Sequence, residues 1–165
     1  MFNIKPISPE AIDEALKKAE RYRLLNEPQL AESICEDILD IDPVNTDAIK
    51  TKLLAITDQF YKYSSEDVSR ARHLLPHLTN DYDRAYYAGI ICERQGNAFL
   101  HSGRPGDHHS AFHWLTDAMQ HFEEAEELRG PGQDDPILRW NTCARQIMNH
   151  HLTPRHEHHM EPPLE

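Results

Sequence analysis

Glycine is scarce in this sequence, and long apolar runs are missing from it. Only six of the 165 residues are Gly, and no run of β-branched residues suggests a sheet, so the composition favours helix. No stretch approaches the roughly 18 consecutive apolar residues that a membrane-crossing helix needs. Residues 1–10 also lack the basic and then apolar pattern of a secretory signal. We therefore expect a protein of the cytoplasm that has no membrane partner.

Acidic residues outnumber basic residues in this sequence. The chain has 17 Lys and Arg against 28 Asp and Glu, which gives a formal net charge of -11. Residues 81–165 contain no Lys, and they hold ten of the twelve His. Because binding to phosphates needs a basic surface, this charge argues against a nucleic-acid partner. The length is sufficient for one domain with its own apolar core.

Cysteines are few, and recognisable catalytic motifs are missing. The three cysteines form no CxxC pair, and each falls at an apolar position of a helical pattern: Cys35, Cys92 and Cys143. We interpret them as small buried side chains. The sequence also lacks a Gly-rich phosphate loop, a GxSxG nucleophile motif and an HExxH zinc motif. We therefore expect neither catalysis nor a cofactor.

Helix-starting and helix-ending residues divide the chain into seven predicted helices. Each start is indicated by a proline or a polar capping residue, and apolar residues recur at helical spacing after it. The predicted starts lie near Pro9, Pro28, Asn45, Ser64, Asn80, Asp107 and Pro136. The short loops favour antiparallel neighbours. We predict a helical domain over residues 1–152 and a flexible tail, rich in His and Pro, over residues 153–165.

Small and large residues alternate between the helices in a repeated pattern. In residues 12–45, the small Ala19 and the aromatic Tyr22 are followed by Ala31, Cys35 and Pro43. The positions equivalent to Ala19 in the next two units are Leu53 and Gly89. The second-helix pattern recurs at Ala71, Leu75, Leu78 and at Ala118, Phe122, Ala125. This pattern resembles the tetratricopeptide repeat family. The resemblance implies an all-α fold, a right-handed array of antiparallel helix hairpins with three repeat units and a C-terminal capping helix.

The resemblance also implies a binding surface. In this family the first helices of the hairpins line a concave groove that takes a peptide or a helix of another protein. The matching groove positions, five in each of the three units, are Asp13, Leu16, Glu20, Arg23, Leu24, Asp47, Lys50, Leu54, Thr57, Asp58, Asp83, Tyr86, Ile90, Glu93 and Arg94. The implied function is non-catalytic protein binding, as an adaptor or a subunit of a complex. A second copy of the chain can also fill such a groove, so a homo-oligomer stays open.

The seventh predicted helix carries Asn141 inside an apolar stripe. That stripe consists of Ile137, Trp140, Ala144, Ile147 and Met148. A buried Asn needs hydrogen-bond partners, which leaves two roles open. Asn141 ties the capping helix to a neighbouring loop, or it projects with Arg145, one turn further on, into the end of the groove and binds partner backbone or carboxylate.

Histidines on the sixth predicted helix suggest a different function. His109, His113, Asp117 and His121 recur every four residues. Two His at this spacing can ligate one metal ion, and an Asp can add an oxygen ligand. Four-residue steps drift around a helix, so all four side chains cannot meet one ion. The alternative hypothesis is a metal-binding helical protein, perhaps a hydrolase.

Overall fold

The computed structural model describes residues 1–62 and 65–156. Within these ranges the chain forms seven α-helices and no strand, which confirms the all-α fold class. The helices are α1 (Ile12–Leu24), α2 (Pro28–Ile41), α3 (Thr46–Thr57), α4 (Ser65–Leu74), α5 (Asp81–Ser102), α6 (Asp107–Leu128) and α7 (Asp135–Asn149). Short 3-10 turns lie at Pro9–Ala11, Phe60–Lys62 and Leu75–His77. In the described part of the chain, no helix is long and apolar enough to cross a membrane.

Local chemistry explains most of the helix ends. The Asn45 side chain accepts a hydrogen bond from the Ala48 N–H (3.0 Å), and Asn80 accepts one from the Asp83 N–H (3.3 Å), so both cap the helices that follow them. Ser8 makes no such bond. The predicted start at Ser64 lies outside the described residues.

The loop between α5 and α6 needs two glycines. Gly103 ends α5 with a φ of 68°, and Gly106 precedes α6 with a φ of 83°. Residues with a Cβ rarely adopt this left-handed backbone, so glycine allows the sharp reversal. The reversal sets the two 22-residue helices side by side along their length.

Small residues on α5 let α6 approach it closely. Gly89 lies against the Phe122 ring, and a Cβ at Gly89 would be 2.5 Å from the ring atom Cε1. Gly96, two turns further on, lies in the same way against Leu115. Ala118 between these contacts is fully buried. The small-residue site at Gly89 and the large residue at Phe122 therefore pack as complementary surfaces.

The first hairpin has a smaller version of the same packing. Ala19 on α1, Ala31 and Cys35 on α2 and Ala55 on α3 form a fully buried cluster. Short side chains at these positions let the three helices pack close together. The predicted small-residue sites in this part of the chain are therefore contact sites.

The chain after α7 follows the domain for a few residues. Leu152 is buried in the core cluster of α5, α6 and α7, and the Thr153 carbonyl accepts a hydrogen bond from the His109 ring at 2.9 Å. Most of the predicted tail, residues 157–165, lies outside the described residues.

Candidate functional site

Two adjoining clefts run across α1, α3 and α5. Both are lined by Arg23 and Leu24, so they adjoin at these two residues; together they are named here the α1–α3–α5 groove. The first cleft, of about 450 Å³, lies towards the carboxyl ends of the three helices and reaches Asp58, Arg94 and His101. The second cleft, of about 300 Å³, lies further towards the amino end of α3; its remaining lining residues are Glu20, Asp47, Lys50, Thr51, Leu54 and Tyr87.

Ion pairs join the three helices that line this groove. Asp58 accepts hydrogen bonds from Arg23, whose Nε lies 2.8 Å from Oδ2, and its Oδ1 lies 3.4 Å from Nη1 of Arg94. Lys50 Nζ lies 2.8 Å from Asp83 Oδ2. Lys50 and Asp83 lie near the amino ends of α3 and α5, and Asp58 and Arg94 lie further along the chain in each case, so these two helices run in the same direction. The charged side chains of the groove therefore also hold α1, α3 and α5 together.

A third connection joins α5 to α7. Arg139 donates to the Tyr86 hydroxyl (2.9 Å) and to Oε2 of Glu93 (2.7 Å), and Glu93 is only 6% exposed. Burial acts to lower the pKa of Arg139, but the negative charge of Glu93 and the contact with Tyr86 outweigh it and raise the pKa. Arg139 therefore stays charged and fixes the seventh helix on the fifth.

Nine of the fifteen predicted groove residues line the two clefts: Glu20, Arg23, Leu24, Asp47, Lys50, Leu54, Thr57, Asp58 and Arg94. Asp13 and Asp83 line neither cleft. For two others the prediction is wrong, because their side chains are buried and a partner cannot reach them. Ile90 is 1% exposed and belongs to the core cluster with Phe122, and Glu93 is buried beneath Arg139. Leu16 is half-buried and lines neither cleft. Tyr86 packs on Tyr82, Tyr87 and Phe122 and lines neither cleft.

The structure bears out part of the apolar stripe predicted for the seventh helix, because Trp140 and Ile147 pack against the core cluster. Cys143 is the buried residue at its centre, Asn141 is half-buried, and Met148 is 63% exposed. Asn141 and Arg145 line neither cleft, and Arg145 is exposed. The polar link from this helix to the groove is Gln146.

Gln146 reaches the groove through α5. Its Nε2 donates to Oδ1 of Asn97 at 2.7 Å, and Asn97 lines the first cleft. Oε1 of Gln146 is buried and has no hydrogen-bond partner in the described residues. The amide with a buried atom on this helix is therefore five residues after Asn141, at Gln146.

Sequence reasoning missed a row of groove residues on α5. Asn97, Ala98 and His101 line the first cleft together with Arg94. They follow Arg94 at the three-, four- and seven-residue spacings that place side chains on one helix face. This periodicity could have identified these three residues from the sequence. Phe60 and Tyr61 also line this cleft from the turn after α3, where no repeat pattern marks them.

The histidines of α6 do not form a metal site in the structure. His109 bonds to Thr153, His113 stacks edge-on against Phe112, and His121 lies 3.8 Å from Glu124. Among the described residues, no group of three or more His, Cys, Asp or Glu side chains is arranged to hold a metal ion. Asp117 is exposed. The four side chains predicted as the alternative site therefore have different surroundings.

The cysteines are free and buried, as the sequence predicted. Burial raises the pKa of Cys35 and of Cys143 to about 12, and it raises the pKa of Cys92 as well. A thiol with such a pKa is protonated at neutral pH and is a poor nucleophile. The cysteines serve as packing residues.

Comparison with protein family models, with curated proteins and with solved structures found nothing that matches this chain. What the arrangement itself offers is an open groove with an apolar side and charged side chains, built by three helices. Such a surface is suited to reversible binding of a partner segment.

Proposed function

We propose that this chain is a tetratricopeptide-like interaction module of the cytoplasm. In this proposal α1 to α6 form three hairpins in a right-handed array, and α7 is the capping helix. The module holds a segment of another protein in the α1–α3–α5 groove without catalysis, as an adaptor or as a subunit of a complex. The observation that carries the proposal is the groove itself, because its two adjoining clefts are lined by side chains from the first helix of each proposed hairpin.

The spacing of the groove contacts supports the repeat architecture. Arg23 and Asp58, which pair across α1 and α3, are 35 residues apart. This separation is close to the roughly 34 residues of one tetratricopeptide unit. The pairs between α3 and α5 have nearly the same separation, so side chains about one unit apart in sequence meet. The Gly89–Phe122 contact supports the third unit in the same way, since a small residue of one helix meets the large residue of its hairpin partner.

The surface chemistry of the groove supports a protein partner. Leu24 lines both clefts and is 87% exposed, so its apolar side chain is accessible to a partner. Charged side chains surround it. A partner segment with one apolar and one polar face would bury Leu24 and still meet these charges.

The test is capture of a partner by the intact chain and by two matched variants. Partners are identified by pull-down from the native cells and mass spectrometry, and their affinity is then measured with purified components. Leu24→Gln removes the exposed apolar side chain from the groove. Burying a leucine is worth about 1.5–3 kcal/mol, so we expect the affinity to fall about tenfold or more.

The control is Leu30→Gln. Leu30 lies on α2, is 42% exposed and lines neither cleft, so its replacement should leave the affinity unchanged. Equal loss in both variants, or no loss in either, would place the binding surface outside the groove and refute the proposal. If the captured partner is a second copy of the chain, the same pair of variants shows whether the groove joins the copies.

A further inference from the structure

The carboxyl end of the α1–α3–α5 groove has an excess of positive charge. Arg23 and Arg94 both approach Asp58, and this single carboxylate can neutralise only one of the two guanidinium groups. The chain as a whole carries a formal charge of -11. A local positive excess inside a strongly negative protein attracts an acidic ligand to one place and leaves the rest of the surface repulsive to it.

The two arginines are held to different degrees. Arg23 lies 2.8 Å from Asp58, and 20% of its side chain is exposed. Arg94 lies 3.4 Å from the same carboxylate and is 35% exposed. The longer contact and the greater exposure make Arg94 the group that can turn to a second carboxylate, while Arg23 keeps Asp58 in place.

The residues around Arg94 indicate which chemical groups a ligand carries next to the carboxylate that Arg94 binds. Ala98, one turn further along α5, and Leu24, from α1, provide apolar surface in the same cleft. Asn97 lies beside them and adds an amide. An anion here would therefore have apolar side chains next to it.

The other cleft restricts where an acidic segment can lie. Glu20 and Asp47 line it and are exposed. Both of its cations are already paired, Lys50 with Asp83 and Arg23 with Asp58, each at 2.8 Å. Carboxylates of a ligand would be repelled there, so the acidic part of a bound segment is confined to the cleft that contains Arg94.

We propose that the groove takes an acidic, amphipathic segment of another protein, with a carboxylate of that segment bound by Arg94 and an apolar side chain resting on Leu24 and Ala98. This inference rests on the proposed function and names the chemistry of the partner. In this proposal Asp58 competes with the ligand, because it is paired with Arg23 and Arg94 until a carboxylate of the ligand binds Arg94. The removal of Asp58 should therefore strengthen binding, an effect that a purely structural role does not predict.

The probe is a short fluorescent peptide of alternating Glu and Leu with blocked ends, and binding is followed by fluorescence anisotropy. We expect the full chain to bind it, and to bind the same peptide with Gln in place of Glu at least about tenfold more weakly, because charge-assisted hydrogen bonds are lost. Binding of the Glu peptide should weaken as the salt concentration rises from about 0.1 M to about 1 M, over which the screening length falls from about 10 Å to about 3 Å.

Three variants test which charged side chains contribute to binding of the peptide. Arg94→Gln should weaken binding of the Glu peptide about tenfold or more. Asp58→Asn keeps the shape of the side chain and removes its charge, so it should tighten binding at least about threefold at low salt. Arg145→Gln removes an exposed arginine that lines neither cleft, and it should leave the affinity unchanged. Circular dichroism of each variant confirms that the fold is retained.

Equal binding of the Glu and Gln peptides would overturn the inference, and so would a weaker affinity in the folded Asp58→Asn variant. Tighter binding of a single-stranded RNA than of the Glu peptide would assign the positive cleft to nucleic acid instead. If Leu24→Gln abolishes capture of the natural partner while Arg94→Gln and Asp58→Asn do not change it, the charge argument fails and the proposed function stands. If none of these groove variants affects the natural partner, the proposed function fails as well.

Discussion

A single methyl group at Gly89 should destabilise the whole fold. An ideal Cβ at this position would lie 2.5, 2.7 and 3.0 Å from three carbon atoms of the Phe122 ring. Carbon atoms pack best at about 3.5–4.0 Å, so in Gly89→Ala the ring must move by about 1 Å. The ring is fully buried and belongs to the core cluster of α5, α6 and α7, and it has no solvent to move into.

The magnitude follows from two opposing effects. Overpacking a dense core costs about 1–3 kcal/mol, and the short distances to a rigid ring favour the upper end of that range. In the opposite direction, Ala is a better helix former than Gly by about 1 kcal/mol. The net loss in the free energy of unfolding should be about 2 kcal/mol. For a domain of this size, that corresponds to a fall of about 4–8 °C in the melting temperature.

The assay is urea denaturation of the intact chain, followed by circular dichroism, for Gly89→Ala, Phe122→Leu and the double variant. Leu at position 122 removes the ring atoms that meet the new methyl group. Gly89→Ala should therefore cost at least about 1 kcal/mol less in that background than in the natural one. If Gly89→Ala raises the stability by about 1 kcal/mol, helix propensity alone acts at this site. The close packing of α5 on α6 would then be refuted.

Two other predictions concern the ion pair on α7 and the thiols. Arg139→Leu leaves the buried Glu93 without a partner and should lower the free energy of unfolding by about 3 kcal/mol, with partial recovery when Glu93→Gln is added; unchanged urea midpoints would contradict the role of this pair. Burial raises the folded-state pKa of the Cys35 and Cys143 thiols from the ordinary 9.0 to about 12, so their contribution to the free energy of unfolding is complete below about pH 9 and is lost as the pH rises towards 12. The urea midpoint should therefore fall as the pH rises from about 9 towards about 12, and it should fall less when both thiols are replaced by Ala; an equal decline in both proteins would contradict this account.

Local sequence signals determined the helices of this protein. A capping side chain such as Asn45 or Asn80 acts on the backbone three residues away, and a proline such as Pro28 acts at its own position. These effects need no tertiary contact, so the seven helices could be predicted from the sequence. The small-residue pattern was also informative, because only a small side chain such as Gly89 leaves room for the close approach of a neighbouring helix.

Only the tertiary structure decided which polar side chains lie on the groove surface and which are buried beneath it. Arg94 and Glu93 are neighbours in sequence and were both predicted to contact a partner, yet Arg94 lines a cleft and Glu93 is buried under Arg139. The partner that covers Glu93 is 46 residues away, on a helix whose position depends on the packing of the whole array. Helix periodicity gives the direction of a side chain around its own axis. It does not give the distance or the chemistry of the helix opposite, and that opposite helix determines whether the side chain meets a neighbour or the solvent.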